Sequence, residues 1–500
     1  MSLAGLALSL SAPGNDLWFI AWFGIVPLFI LLNTAISLKQ VIIYSFVFGF
    51  SYNFSYLHWL FSLHPLNWLG FNFTESWLLS FFALITTSIY NSIYFILFGI
   101  SDFYFKKYSV KPYNAGLISY VLITFIWLII FNKLSSSELL LGFPWSLIEY
   151  SQYKNLFLIQ IAEYFGSIFI GFLVVFFNLV LSELVLYFFN KEKIVNRYIA
   201  KDPSKLISIL VSGSVAIFLI FASLIFGLLS YTNKKTKLTS SSQIIAVLQG
   251  NLPINVTRGL NVNEDFAEKT YTKLISDSKN ILAILPEGAL PIDINDPLTS
   301  NNWIRNIRQS NSSSLLFGTY CMDVNSFYNC AALYIPSIDK FSIYKKQRLV
   351  PFGEYIPFSN LLPEFLRRFA QFTIGEGFNK GKNSDLLQIN DLKIGVNICF
   401  EIIFPNIIRN QSLMGANLLV NISDLGWFSN DILKKQFLSF GVFRAIENGK
   451  PLIIASNNGI SAFIEPNGKI KNQTLPKKRT ILADWITPNN NITFFSRFGW

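Results

Sequence analysis

Of the 500 residues, 52% are hydrophobic, 16% aromatic and only 14% charged, a balance that excludes an ordinary soluble multi-domain chain. The net charge of +11 raises nucleic-acid binding, yet the basic residues form neither a tract nor a reading motif. Basic loops beside a membrane and a basic domain near anionic head groups account for the charge, so no nucleic-acid partner is expected.

The apolar excess lies ahead of Asn233. A membrane span needs about 20 mostly apolar residues. Six stretches qualify: Leu17 to Leu32, Val41 to Phe61, Ser76 to Ser101, Ala115 to Phe131, Tyr164 to Ser182 and Leu206 to Asn233. Leu3 to Leu10 is apolar but too short to cross unaided and has no basic flank of a signal peptide, so it reads as a curtailed first span. On one side lie Lys39, Lys106, Lys107, Lys111, Lys191, Lys193, Arg197, Lys201 and Lys205; on the other lie only Lys133 and Lys154. Short loops rich in Lys and Arg stay in the cytoplasm, which predicts a multi-span membrane protein whose following domain is periplasmic or otherwise extracytoplasmic. Between two spans on that outer face, Gly142, Phe143, Pro144 and Trp145 carry no charge, and Trp145 reads first as an interfacial anchor. His58 and His64 are too few to suggest a metal site.

From Gln243 the pattern changes to short strands between amphipathic stretches, predicting an α/β layered domain. Strands are expected at QIIAVLQGN, ILAIL, SLLFGTY, CAALYIP, KIGVNI, ANLLVNIS, PLIIAS and ISAFIEP, with helices over Asn261 to Lys279 and Asn302 to Gln309. Asn467-Gly468 signals a two-residue type I′ hairpin turn. Cys321 and Cys330 can bridge a hairpin in an oxidising compartment or remain two thiols. The resulting division is 1–233 membrane domain, 234–484 soluble domain and 485–500 a C-terminal segment.

Ile394, Val396 and Ile398 alternate with Lys393, Gly395 and Asn397, a strand that runs into Cys399, and FEIIFPNIIRNQ continues with helical spacing. A thiol at a helix N-terminus beside a cation has its pKa lowered and becomes a nucleophile; taken alone, such a cysteine is more often a small buried hydrophobe. Two further motifs carry chemistry: ILAILPEGALP with Glu287, and YKKQRLVPFGEYIPF with Lys346 and Glu354. Taken singly these too read as solvated turns. Glu, Lys and Cys in that order, each beyond a strand, resemble the triad of the nitrilase superfamily. More narrowly, LVPFGEYIP, ICFE and SNNGIS behind a multi-span region resemble the apolipoprotein N-acyltransferases over nearly the whole chain.

The resemblance implies an αββα sandwich after a multi-span α-helical membrane domain, and a monomer. It implies Glu287 as general base, Lys346 as the charge that stabilises thiolate and oxyanion, Cys399 as nucleophile, and Glu354 and Glu401 in support. On this reading a Glu287→Gln protein retains some thioester formation, because Lys346 and the helix end still support a thiolate. The implied reaction moves an acyl chain from a phospholipid of the phosphatidylethanolamine class, through a Cys399 thioester, to the α-amino group of a diacylglyceryl apolipoprotein at the bilayer surface. No cofactor or metal is implied. Leu361, Leu362, Phe365, Leu366, Phe369 and Phe372 form an apolar face suited to lie in the lipid interface as an entry arm, with Gly375 and Gly377 as hinges. Trp427 and Trp145, in loops resembling the family's, join Phe365 and Phe369 as candidate substrate contacts. Departures are Asp424-Leu425 in place of an Asn-Asp pair, Arg258 where Trp is common, Phe400 for a frequent Tyr, a curtailed first span and no final span. Two alternatives remain: a membrane-tethered amidase or nitrilase that gives the acyl group to water, and a non-catalytic lipid- or lipoprotein-binding relative.

Overall fold

The computed structural model describes residues 1–108, 116–189, 203–233, 241–258, 265–278, 281–296, 313–324, 326–359, 364, 377–382 and 385–499. The chain forms two compact units, one of Met1–Asn67 with Phe71–Thr232, the other of Trp68–Gly70 with Asn233–Trp500.

In the first unit, four helices among the described residues are long and apolar enough to cross a membrane: Phe73–Tyr108, Leu117–Leu134, Ser167–Phe189 and Pro203–Asn233. Two run past the acidic residues at which the uninterrupted apolar stretches end, Asp102 and Glu183. Asp102 pairs with Lys106 at 2.5 Å, and Glu183 pairs with Lys205 at 3.3 Å and accepts from Asn33 at 2.8 Å, so neither buried carboxylate stands uncompensated. The expected span Leu17 to Leu32 is instead a 3₁₀ turn, Trp18–Trp22, followed by the helix Val26–Thr34 with Pro27 in its first turn. Proline is accepted at the start of a helix but not within it, which divides the stretch there. The second stretch is a continuous helix, Leu38–Tyr56, and the segment before both is the eight-residue helix Ser2–Ser9.

The second unit is two six-stranded sheets face to face. The first contains β1 (Gln243–Gln249), β2 (Leu282–Ile284), β3 (Ser314–Asp323), β4 (Ser326–Ile335), β5 (Lys340–Lys345) and β12 (Thr480–Ile486), in the order β12-β1-β2-β3-β4-β5. The second contains β6 (Leu387–Ile389), β7 (Leu392–Ile398), β8 (Leu418–Ser423), β9 (Leu452–Ser456), β10 (Ala462–Ile464) and β11 (Ile470–Gln473), in the order β11-β10-β9-β8-β7-β6. In each sheet three adjacent strands are parallel, β1-β2-β3 and β7-β8-β9, and the flanking strands are antiparallel. Alternation decides which side chains meet between the sheets: Ile245 and Val247 of β1 join Ile394, Val396 and Ile398 of β7 in one buried core. Ala246 and Leu248 face the other way, onto Tyr271 and Ile275 of the helix Asp265–Ser276. Helices Pro405–Leu413 and Asp431–Asn448 pack on the outer side of β7 and β9, completing an αββα sandwich. With both sheet faces covered, the parallel strands read as near-continuous apolar runs.

Three local readings are corrected or resolved. The hairpin between β10 and β11 is not a two-residue type I′ turn: only Gly468 has positive φ, and its N–H donates to Glu465 O at 2.8 Å. Pro466 holds a negative φ, so a turn beginning at Glu465 with glycine in the left-handed region replaces it. Cys321 and Cys330 are bonded to each other across the β3-β4 hairpin. The helix expected over Asn261 to Lys279 is observed as Asp265–Ser276, while the one expected over Asn302 to Gln309 lies outside the described residues.

Candidate active site

Cys399 follows the last residue of β7 and adopts a left-handed φ of +50°. For a non-glycine residue that conformation costs roughly 1–2 kcal/mol and persists where the surroundings enforce it. Here the surroundings are hydrogen bonds. Asn421 on β8 donates to Cys399 O at 3.1 Å and to Asn397 Oδ1 at 2.6 Å, and the Glu401 carboxylate accepts the Ile398 N–H at 2.7 Å. The long helix expected directly after Cys399 is absent. Residues Cys399–Ile403 form a short 3₁₀ turn, Phe404 is extended, and the α-helix starts at Pro405. The residue before a proline is driven out of the helical region, so Phe404 breaks the run.

Glu287 sits just past β2 on a turn laid against β3. A Cβ at Gly318 would come within 2.5 Å of Glu287 Cα, so glycine is what lets this backbone approach. Lys346 extends from the end of β5 and is 1% exposed. Its Nζ lies 3.2 Å from Glu287 Oε1 and 2.8 Å from Glu354 Oε1. Asn329 on β4 donates to the same two oxygens at 2.8 and 2.9 Å. The remaining oxygens are also used: Glu287 Oε2 accepts the Asp424 N–H at 2.9 Å, and Glu354 Oε2 accepts the Val350 N–H at 2.8 Å. Glu401 is fully buried, accepting Tyr344 O–H at 2.9 and 3.0 Å and the Gln347 and Arg348 N–H groups at 2.6 and 3.0 Å. It therefore ties the Cys399 turn to the Lys346 loop.

Burial raises the Glu287 carboxyl pKa, but Lys346, the Asp424 N–H and Asn329 outweigh it and hold the group below the usual carboxylate range. Burial pushes the Cys399 thiol well up, the neighbouring Glu287 charge pushes it further, and Lys346 only partly opposes them. The direction is opposite to the lowered thiol pKa expected from a helix N-terminus. The resting pair is thus a thiol donating to the Glu287 carboxylate beside a lysine whose ammonium form is strongly favoured by its two glutamates. In such an arrangement a thiol can lose its proton to the Glu287 carboxylate as sulfur attacks.

Lys346→Met is expected to lower stability by about 3–5 kcal/mol at neutral pH, because two buried carboxylates lose their shared cation. The sign with pH is diagnostic. In the native protein the Glu287 pKa is below its unfolded value, so its contribution is present above that value and falls as pH drops through the folded pKa. Without Lys346 burial raises the Glu287 carboxyl, and its contribution to stability falls as pH increases. Denaturant unfolding at acid and at neutral pH should show the two opposite slopes; parallel slopes would mean that Lys346 does not set the Glu287 charge.

The structure brings Glu287, Lys346, Cys399, Glu354 and Glu401 together. Trp427 lies on the loop after β8, with the Arg258 guanidinium carbon 4.3 Å from its ring centroid. Trp145 is not an exposed anchor: it is a buried residue of the helical unit, packed on Trp59 and Phe143. Phe365 and Phe369, with the rest of the expected arm, lie outside the described residues. Asn329, Asn421 and Tyr344 were missed from sequence. The signal for Asn329 is the register of β4 with β5, which sets it beside Lys346 through the Lys346 N–H to Asn329 O bond of 2.9 Å.

Two family models match. One described as the apolipoprotein N-acyltransferase N-terminal domain covers residues 4–180, and carbon-nitrogen hydrolase covers residues 244–487. Apolipoprotein N-acyltransferase from Geobacter metallireducens is 28% identical over 510 residues, 99% of this chain and 90% of its own. The Borreliella burgdorferi protein of that name is also 28% identical, over 100% of this chain and 91% of its own. Among solved structures, a branch 10 nitrilase-superfamily member from Saccharomyces cerevisiae matches 51% of this chain and 93% of its own at 17% identity and a TM-score of 0.39.

Proposed function

Because the chain belongs to the apolipoprotein N-acyltransferase family, we propose that its lipoprotein N-acylation runs through Cys399 as a thioester, with a phospholipid as donor. The observation that carries this reading is the buried Lys346 ammonium, 3.2 Å from Glu287 and 2.8 Å from Glu354, set beside the free Cys399 at the end of β7.

In the first half-reaction the Cys399 proton passes to Glu287 as sulfur attacks the ester carbonyl carbon of the donor. Lys346 supplies positive charge to the oxyanion that forms. Collapse breaks the bond to the glycerol oxygen, which leaves with the Glu287 proton as the hydroxyl of a lysophospholipid. In the second half-reaction the free α-amino group of a diacylglyceryl-cysteine attacks the thioester, and Glu287 takes the ammonium proton. The C–S bond breaks, Glu287 returns the proton to sulfur, and an amide remains. Glu354 positions Lys346, and Glu401 holds the Cys399 turn and the Lys346 loop in register. These steps call on no group beyond the chain and its two substrates.

The phosphatidylethanolamine class is the donor proposed. The unequal distribution of Lys and Arg between the two sets of loops supports an inner-membrane protein with the catalytic domain on the periplasmic side. We read Phe365, Phe369 and Trp427 as substrate contacts and leave Trp145 as packing. The test uses purified full-length protein and a phospholipid carrying a tagged acyl chain. Label should enter the protein, be released by hydroxylamine, and move to a diacylglyceryl peptide when one is added. Release of free fatty acid at an undiminished rate with acceptor present would instead favour hydrolysis, and absence of any label would favour binding alone.

A further inference from the structure

Arg258 closes the short helix Ile254–Thr257, and its neighbours belong to the segments that carry the acid network. Its guanidinium lies over Trp427, three residues beyond the Asp424 whose N–H holds Glu287, with Cζ 4.3 Å from the ring centroid. Its Nη2 donates to Gly353 O at 3.4 Å, one residue before Glu354. It also hydrogen-bonds Tyr320, whose own O–H is committed to Thr257 O at 3.0 Å and whose oxygen is therefore the acceptor. Arg258, Trp427, Gly353 and Tyr320 are all half-buried, as is Cys399.

A guanidinium has five N–H groups in one plane. Stacking occupies its face and leaves the edge donors able to meet an oxyanion bidentately. Two contacts account for part of that edge, one of them long. Among the described residues no carboxylate pairs with Arg258. The nearby acids are already used: Glu287 and Glu354 by Lys346 and Asn329, and Asp424 by the Gly426 N–H at 2.9 Å and Asn457 at 3.2 Å. Lys346 is buried and shared between two glutamates, so it cannot also meet a head group. A phosphate entering this region faces three carboxylates, and among the described residues placed around them Arg258 is a cation with donors left to offset them.

We propose that Arg258, braced on Trp427, binds the phosphodiester oxygens of the donor lipid and so selects a phospholipid over a neutral acyl ester. The assignment rests on the donor reading above. Trp427 fixes the orientation of the fork, and the Gly353 carbonyl and Tyr320 oxygen fix its tilt.

The test compares two donors with the same tagged chains, phosphatidylethanolamine and diacylglycerol, on full-length protein. Arg258→Gln is expected to slow labelling of Cys399 from the phospholipid by about 10- to 100-fold, the range for losing a hydrogen bond to a charged group, while labelling from diacylglycerol changes little. Arg258→Lys should restore part of the phospholipid rate. Equal losses with both donors would overturn the proposal and make Arg258 a brace for Trp427. A binding arm separates this from failure of the thioester reading. Ether-linked phosphatidylethanolamine, which cannot acylate the protein, should bind Arg258→Gln at least tenfold more weakly than wild type, and ether-linked diglyceride should not. If neither donor labels wild type, the thioester fails while this binding difference still decides Arg258; its absence overturns the assignment. Inorganic phosphate should compete only at concentrations far above those of the ether lipid, and competition at equal concentration would overturn a head-group role in favour of a free-anion site.

Discussion

Replacement of Cys399 by alanine is expected to remove all acyl labelling by donor lipid and all N-acylated lipoprotein product, with the fold intact. Cys321 and Cys330 are bonded to each other, and Cys399 is the free cysteine, so no second thiol is available to carry the chain. The substitution removes one sulfur from a half-buried position, and alanine at φ +50° meets the same left-handed cost that cysteine already bears. The change in stability should therefore stay near 1 kcal/mol, far below what unfolds a domain of this size. Label counting after gel separation, alongside a melting curve of the same preparation, reads both quantities. Full lipoprotein acylation by the alanine protein would refute a Cys399 thioester.

The strand before Cys399 was legible because its chemistry is periodic: Ile394, Val396 and Ile398 recur every second residue, and all three are buried between the sheets. The membrane helices were legible for a similar reason, yet their ends were not. Asp102 and Glu183 looked like limits until their partners Lys106 and Lys205 were brought beside them, and such pairing is not encoded in local hydropathy. Pro27 and Pro405 both stand in the first turn of a helix, and there they override the helical spacing that runs through them. Glu287, Lys346, Glu354, Cys399 and Glu401 were located through motif strings. Asn329 and Asn421 belong to no such string: each is set beside the site by strand pairing over long separations, β4 with β5 and β7 with β8. Trp145 shows the converse, since an aromatic in a loop between spans reads as an anchor and is in fact packed on Trp59.

Glu287→Gln separates a preformed thiolate from one made during attack. A cysteine at the N-terminus of a long helix would already be ionised, and the glutamine protein would still acylate itself slowly. The observed turn is a short 3₁₀ segment ending at Ile403, and burial with the Glu287 charge holds the thiol protonated. Glutamine has nearly the same shape but an amide that cannot take the proton. It can keep an oxygen toward the Asp424 N–H, while its amide N–H₂ would face the Asn329 and Lys346 donors that now meet Glu287 Oε1. The base is lost for both half-reactions, so thioester formation itself should fall by about 10²- to 10⁴-fold, the usual contribution of a positioned base. One opposing effect works the other way: removing a negative charge beside sulfur lowers the thiol pKa, since Lys346 then acts with less opposition. The titration of Cys399 with a small alkylating reagent measures that effect alone. The expected result is an alkylation profile shifted to lower pH together with a collapsed rate of acylation by lipid, a combination that simple damage to the site would not produce. Accumulation of a stable thioester in the glutamine protein at close to the wild-type rate would show that Glu287 serves only the amine step.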